Sequence, residues 1–290
     1  MHMHLEARPP FSFSAVADSH GWRQLAPFRG DGEALSYILR LESGRVTELN
    51  LSGAGDGADV STEDDLAPAE QEEVAATVAW MLGLDQDLSA FYEIAAGEPK
   101  LAAAAAGAKG RILRSPTLFE DVVKTILTTN TVWASTKRMV ANLVDLFGDP
   151  LPADAVRRAF PTPAQLAVTG EGALRNDARL GYRAPYVLDL AQRVAARALD
   201  LEALRTSDLP THELRKQLLS LKGVGPYAVA NLLMLLGRYD AIPIDSWALT
   251  VVSKEWHAGA RVGPADVEAA FARWGQWKGL AFWFWEYSSG

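Results

Sequence analysis

The period of the hydrophobic pattern changes along this chain of 290 residues, and that change limits the fold more than any other feature. In the first third, apolar positions alternate with polar ones in short runs separated by turn residues. These are Phe11-Ser12-Phe13-Ser14-Ala15-Val16, then Ser36-Tyr37-Ile38-Leu39-Arg40-Leu41 up to the Ser43-Gly44 turn, then Arg45-Val46-Thr47-Glu48-Leu49-Asn50-Leu51. From Ser115 onward apolar residues recur every three to four positions, as in Leu118, Phe119, Val122, Val123, Ile126 and Leu127. Alternation lines one face of a strand, whereas the longer period lines one stripe of a helix. The expected architecture is an acidic α+β domain over 1–110, with a β-meander and a helix over 68–84, followed by an all-α domain over 111–290.

Local signals refine this outline. Gly53-Ala54-Gly55-Asp56-Gly57 has no apolar helix directly after it, so it reads as a flexible loop rather than a nucleotide-binding one. The alanine–glycine stretch 101–109 reads as a short helix or a surface connection. Ser115-Pro116 offers a capping hydroxyl followed by proline, a good helix start. Further helices are expected over 132–147, closed by Gly148 and Pro150, over 186–199 and over 211–221.

Composition then excludes whole classes of chemistry. With no cysteine, disulfides, thiol catalysis, iron–sulfur clusters and thiolate zinc sites are ruled out. Five histidines, two of them His2 and His4, supply metal catalysis poorly. No apolar run approaches a membrane span and no export signal opens the chain, so the cytoplasm is the expected location. The net charge of −8 argues against a polyanionic partner until it is divided. Residues 1–110 carry 7 Lys+Arg against 18 Asp+Glu, while 111–290 carry 21 against 18, so the acidity belongs to the first third. A nucleic-acid-binding patch on the remainder is thereby permitted, though not required.

The most informative segment is Leu221-Lys222-Gly223-Val224-Gly225-Pro226-Tyr227-Ala228, which joins two helical patterns through a turn. Its two glycines allow a sharp turn and close backbone approach, while Val224 can pack back between the helices. The helix opening near Pro226 would present unpaired N–H groups and a positive dipole end, a phosphate-binding device that needs no side-chain charge. A plain helical hairpin uses glycine in the same place. Eighteen residues beyond Gly225 begins Pro243-Ile244-Asp245-Ser246-Trp247, an apolar approach to one carboxylate at a helix start. On spacing alone Asp245 is equally a helix cap and a catalytic group.

Together, Leu-x-Gly-Val-Gly-Pro-Tyr and Ile-Pro-Ile-Asp-Ser-Trp resemble the helix–hairpin–helix and aspartate signature of the HhH-GPD superfamily of DNA glycosylases. Leu180-Gly181-Tyr182-Arg183-Ala184-Pro185-Tyr186-Val187 resembles the segment before the hairpin in its 8-oxoguanine branch. Thr128-Thr129-Asn130 is similar to the place where the superfamily puts a polar residue into the opened duplex, and 271–285 resembles its aromatic closing helix. The resemblance covers about 110–290. An α+β domain ahead of the helical part also occurs in its 3-methyladenine and 8-oxoguanine members.

The resemblance implies base excision from double-stranded DNA by flipping a damaged nucleotide into a pocket. Asp245 would stabilise the oxocarbenium-like sugar. Relatives that also nick the strand carry a lysine two residues beyond the second hairpin glycine. Here that position is Tyr227, which forms no Schiff base, so the resemblance implies a monofunctional hydrolase, with an alkylated purine as the leading substrate and oxidised purines as the alternative. Gly223, Val224, Gly225, Tyr227 and Lys222 are the expected DNA contacts at the hairpin. Arg183, with Arg179, is a candidate phosphate contact or a solvated arginine. Asn130 either enters the duplex or caps a helix, and Trp133 either stacks on bases or packs.

Tyr182, Trp247, Trp283 and Trp285 are candidates for a base pocket, six of the nine tryptophans lying after residue 246. No cofactor is required, although the resemblance allows a sodium or potassium ion on the Leu221 and Val224 carbonyls. A monomer is expected, with no membrane partner. The competing classes are a non-catalytic helix–hairpin–helix DNA-binding protein and an unrelated helical protein that binds other proteins.

Overall fold

The computed structural model describes residues 1–286. In chain order the first elements are β1 (His2–Glu6), α1 (Phe13–Ala17), β2 (Arg29–Gly30), β3 (Ala34–Arg40), β4 (Val46–Ala54), β5 (Gly57–Ser61) and α2 (Pro68–Leu82). Next come α3 (Ser89–Ala96), α4 (Ala102–Ala106), α5 (Leu118–Thr128), α6 (Trp133–Phe147), the strands β6 (Pro150–Leu151) and β7 (Asp154–Arg158), α7 (Pro163–Ala167) and α8 (Ala184–Ala195). The last are α9 (Thr211–Leu219), α10 (Pro226–Leu235), α11 (Ser246–Trp256), α12 (Pro264–Phe271) and α13 (Lys278–Trp283). Among the described residues no helix is long and apolar enough to cross a membrane.

Contacts divide the chain into two compact units, and the division is not the contiguous one expected at 110. One unit comprises Met1–Gln86 with Arg111–Ser207; the other comprises Asp87–Gly110 with the chain from Asp208 on. The reason lies in the side chains of the first unit. Arg111 is 1% exposed and donates to the carbonyls of Gly83 (2.9 Å), Pro10 (2.7 Å) and Gln86 (3.0 Å), tying the segment after 110 to the N-terminal residues.

The sheet of this unit is antiparallel in the order β1-β5-β4-β3-β2, so β2 to β5 form the expected meander. Three local expectations are corrected. Phe11–Val16 is not a strand: Ser12 caps α1 by accepting from the Ala15 N–H at 3.2 Å, and Phe13, Val16 and Ala17 turn inward. The glycine-rich segment 53–57 is no flexible loop. β4 and β5 pair through it to Ala54 opposite Gly57, leaving Gly55-Asp56 as a two-residue turn in which Gly55 takes φ +53°. The helix expected at Ser115-Pro116 starts later, because Thr117 is the cap, accepting from Glu120 N–H at 3.2 Å, while the Ser115 N–H is taken by Asp121 Oδ1 at 3.0 Å.

The part after 110 is also not purely helical. β6 and β7 form a short hairpin, and its Leu151, with Ala159 just after β7, buries against Ile38 and Val46 of the main sheet. Its Arg157 bonds Glu48 and donates to Ser36 Oγ at 3.1 Å. Arg40 reaches Asp149 at 2.7 Å just ahead of it.

α5 crosses the core of this unit carrying charge. Lys124, fully buried, pairs with Glu120 at 2.6 Å, and the Tyr37 hydroxyl donates to the other Glu120 oxygen at 2.6 Å. The Lys124 ammonium also stands 5.0 Å over the Phe28 ring. Asp121 Oδ1 accepts from Trp22 Nε1 at 2.7 Å, while its buried Oδ2 meets no hydrogen-bond donor among the described residues. Burial therefore raises the Asp121 carboxyl from 3.8 to about 7, against the bonds from Ser115 and Trp22 and the charge of Lys124.

The second unit is helical among its described residues, and aromatic rings fill it. Phe271 is fully buried, with Trp256 at 5.4 Å, Trp274 at 5.2 Å, Phe282 at 5.6 Å and Trp285 at 5.4 Å between ring centroids. Trp277 stacks on Tyr239 at 5.7 Å and meets Phe91 of α3 at 6.0 Å. Lys100 pairs with Glu255 at 3.0 Å, so residues 87–110 are held to the C-terminal helices by both rings and charges.

In the first unit buried Asp121 and half-buried His20 titrate in opposite senses. Asp121, raised when folded, adds stability below pH 3.8 that is lost as pH rises to about 7. His20 is lowered to about 4, chiefly by burial, so its contribution is lost as pH falls from 6.5 towards 4. Asp121→Asn, close in shape to the protonated acid, is expected to gain stability relative to wild type as pH rises between 3.8 and about 7, with no further gain above. Urea denaturation of both proteins across that window checks this.

Candidate active site

The site is assembled from helix ends. α9 and α10 are joined by a turn in which Leu221 and Val224 are buried and Lys222 is exposed. Gly223 takes φ +82°, the left-handed region that favours glycine. Gly225 is the N-cap of α10 and accepts from the Val229 N–H at 2.9 Å; an added Cβ there would meet nothing within 4 Å. The backbone at Gly225 is therefore open to a ligand, and the first-turn N–H groups of α10 lie beyond it.

Asp245 is the N-cap of α11, its Oδ1 accepting from the Ala248 N–H at 2.9 Å. The capping alternative raised by the sequence is thus realised, and the residue remains exposed. A carboxylate accepts through two oxygens, so the cap leaves Oδ2 for other work.

Around Asp245 opens a cavity of about 260 Å³ lined by Tyr227, Pro243, Asp245, Trp247, Phe282 and Trp283. Tyr227 comes from the first turn of α10, Trp247 from that of α11, and Phe282 and Trp283 from the end of α13. Trp247 is 53% exposed, far more than packing requires. The Tyr227 hydroxyl is held above its usual pKa of 10.0 by burial first and by the negative charge of Asp245 second, against an Asn231 hydrogen bond. It is a neutral phenol at physiological pH, beside a carboxylate and between aromatic walls.

Other expected site residues fall elsewhere. Trp285 belongs to the aromatic core, 5.2 Å from both Trp256 and Trp274, and does not line the cavity. Tyr182, Arg183 and Asn130 belong to the first unit. There the Tyr182 ring lies over the Arg183 guanidinium at 4.4 Å, and Arg183 Nη2 donates to the carbonyls of Thr129 and Asn130. Arg183 is buried, which corrects its reading as a phosphate contact or a solvated arginine. Asn130 is exposed with φ +46°, one residue beyond the Thr129 cap of α5. Trp133 donates to Gln24 at 3.0 Å and packs on Gly21, where an added Cβ would come within 2.4 Å of its ring. Its packing alternative is the one realised.

Residues 123–276, just over half of the chain, match the model of the HhH-GPD superfamily base excision DNA repair proteins. The chain belongs to that superfamily. A DNA-3-methyladenine glycosylase of Bacillus subtilis is 28% identical over 192 residues, 64% of this chain and 63% of that protein, so the match spans less than two thirds of the relative. Among solved structures, a 3-methyladenine DNA glycosylase from Archaeoglobus fulgidus superposes with a TM-score of 0.76 at 21% identity, covering 98% of this chain and 97% of that one. The Clostridium acetobutylicum 8-oxoguanine glycosylase/lyase in complex with double-stranded DNA containing cytosine opposite 8-oxoG gives 0.72 at 20%, covering 98% and 95%. At these identities the structural matches establish a common fold.

The HhH-GPD signature thus locates the hairpin and the aspartate but not the whole cavity. Phe282 was not singled out by the sequence, where it sits in an aromatic run, Phe282-Trp283-Phe284-Trp285, whose alternate roles no spacing rule separates.

The capping role of Asp245 is isolated by substitution. Asparagine caps a helix as well as aspartate does, so Asp245→Asn is expected to match wild-type stability within about 0.5 kcal/mol, whereas Asp245→Ala loses about 1 kcal/mol with the cap. Chemical denaturation of the three proteins measures the difference.

Proposed function

We propose that this HhH-GPD protein is a monofunctional DNA glycosylase that excises a damaged base, an alkylated purine in the first instance, from double-stranded DNA. The observation that carries the reading is the cavity in which Asp245 stands among Tyr227, Trp247 and Trp283, opening from the first turn of the hairpin helix. The Bacillus subtilis relative named for 3-methyladenine supports the substrate class, and the fold shared with a DNA-bound glycosylase/lyase supports the partner.

The chemistry follows from the residues present. A base within the duplex is out of reach, so the nucleotide must leave the stack before reaction. The aromatic walls offer π faces to an electron-poor ring, and a purine alkylated on a ring nitrogen carries a positive charge that such faces and Asp245 both favour. As the N-glycosidic bond breaks, its electron pair returns to the purine, which leaves neutral without prior protonation. The sugar gains oxocarbenium character, which the Asp245 carboxylate stabilises. Water adds at the anomeric carbon and yields its proton through the carboxylate to solvent, leaving an abasic site.

Tyr227 stands where lyase members place lysine. A neutral phenol forms no Schiff base, so strand cleavage is not part of the reaction. The hairpin would hold the DNA backbone, with Gly223, Val224 and Gly225 allowing close approach, α10 N–H groups meeting a phosphate and Lys222 adding charge. A sodium or potassium ion suits the same turn to this extent: the Leu221 carbonyl accepts from Val224 N–H at 3.2 Å and keeps a second lone pair. That ion would add positive charge beside the phosphate. In this reading the protein works as a monomer on the chromosome, in the cytoplasm.

The test is excision by wild type and Asp245→Asn. Substrates are methylated DNA with analysis of released bases, and duplexes carrying hypoxanthine, 8-oxoguanine or uracil, each with and without hot alkali. Wild type is expected to release methylated purine, with strand breaks only after alkali. Asp245→Asn is expected to be about 10²–10³ slower while binding DNA alike. Cleavage without alkali overturns the monofunctional assignment. Bound DNA with no excision by wild type turns the capped Asp245 into a purely structural residue of a DNA-binding module, and excision confined to 8-oxoguanine transfers the substrate to oxidised purines.

A further inference from the structure

α5 ends at Thr128, and its last carbonyls must find donors other than the N–H groups of the helix ladder. Three threonines supply them. Thr128 Oγ1 donates to Thr125 O at 2.8 Å, Thr129 Oγ1 to Ile126 O at 2.7 Å and Thr136 Oγ1 to Leu127 O at 3.0 Å. The chain then leaves the helix at Thr129 with φ −72° and ψ 133°, and Asn130 turns into the left-handed region at φ +46°. That conformation is costly for an L-residue and least so for asparagine or aspartate.

The carbonyls of this turn are met by Arg183, from the 3₁₀ turn Gly181–Arg183. Its Nη2 donates to Thr129 O and, at 3.2 Å, to Asn130 O. The residue is 6% exposed, and the Tyr182 ring covers the guanidinium at 4.4 Å. The Tyr182 hydroxyl reaches Thr129 O at 3.5 Å, while 48% of the residue remains exposed. One nitrogen thus serves two adjacent carbonyls, a charge-assisted pairing, and the guanidinium is turned inward rather than to solvent.

We infer that Arg183 is a positioning residue, which holds the 129–130 turn so that Asn130 is presented in one conformation to opened DNA. This rests on the glycosylase reading above. Tyr182 closes over the guanidinium and keeps one side free to stack on a base. A turn already ordered in the free protein does not have to be ordered on binding, and the gain appears as affinity.

The experiment uses the full-length chain, with Arg183→Met, Arg183→Lys, Asn130→Ala and the double variant Asn130→Ala/Arg183→Met. Affinity is measured for a duplex carrying a tetrahydrofuran abasic-site analogue opposite 2-aminopurine, whose fluorescence reports unstacking, against the same duplex undamaged. Amide hydrogen exchange at 129–132 is measured in the free proteins.

Arg183→Met and Asn130→Ala are each expected to lose about tenfold in preference for the abasic duplex, together with the fluorescence rise, and the double variant to lose no more. Arg183→Lys is expected to recover part of the loss, because one ammonium–carbonyl bond survives. Exchange at 129–132 is expected to rise at least tenfold in Arg183→Met and to stay unchanged in Asn130→Ala. Losses that multiply in the double variant, or exchange unaltered in Arg183→Met, overturn the inference. If wild type shows no preference for the abasic duplex, the DNA role of the turn falls with the glycosylase reading, and the exchange comparison still decides whether Arg183 holds the turn.

Discussion

An α-helix leaves its first N–H groups and its last C=O groups without partners inside the helix, and the means of satisfying them here produce the candidate site. At the start of α11 the partner is the Asp245 carboxylate; at the start of α10 there is only glycine and proline. The first end is closed by a side chain that still has an oxygen to offer. The second is left open to an anion. At the end of α5 three threonines close the last carbonyls, a buried arginine holds those of the turn that follows, and the residue carried outward is Asn130.

Asp245 shows why a capping carboxylate is not used up by the cap. The cap fixes Oδ1 at 2.9 Å from the Ala248 N–H, which restricts the side chain to one orientation and leaves the second oxygen for the cavity. The neighbouring Tyr227 hydroxyl is held above its usual pKa, by burial first and by the charge of Asp245 second, so a neutral phenol faces the carboxylate within one pocket.

Charge in the first unit answers to a different requirement. Glu120, Asp121 and Lys124 are all buried on one helix, and they are tolerated because Tyr37, Trp22 and Ser115 supply hydrogen bonds and the Phe28 ring faces the ammonium. These bonds join Trp22 and Tyr37 to a helix some 80 to 100 residues later in the chain. They also account for the division of the chain, since a segment whose buried charges are satisfied by the N-terminal strands cannot belong to a separate compact body.

The sequence by itself determined what depends on local periodicity and backbone chemistry. The meander, most of the helices, the Gly223–Gly225 turn and the helix start at Asp245 follow from alternation, helical spacing, positive-φ glycine and capping, all of which act within a few residues. The same rules misled where two local solutions compete, as at Ser12, whose hydroxyl nucleates a helix inside an alternating run. The tertiary structure alone decided which tryptophans pack and which line the cavity, that Arg183 faces inward, and that the compact units are not contiguous. An indole or a guanidinium has the same local preferences in either role. Its burial is set by which distant ring or carbonyl meets it, and spacing along the chain does not encode that.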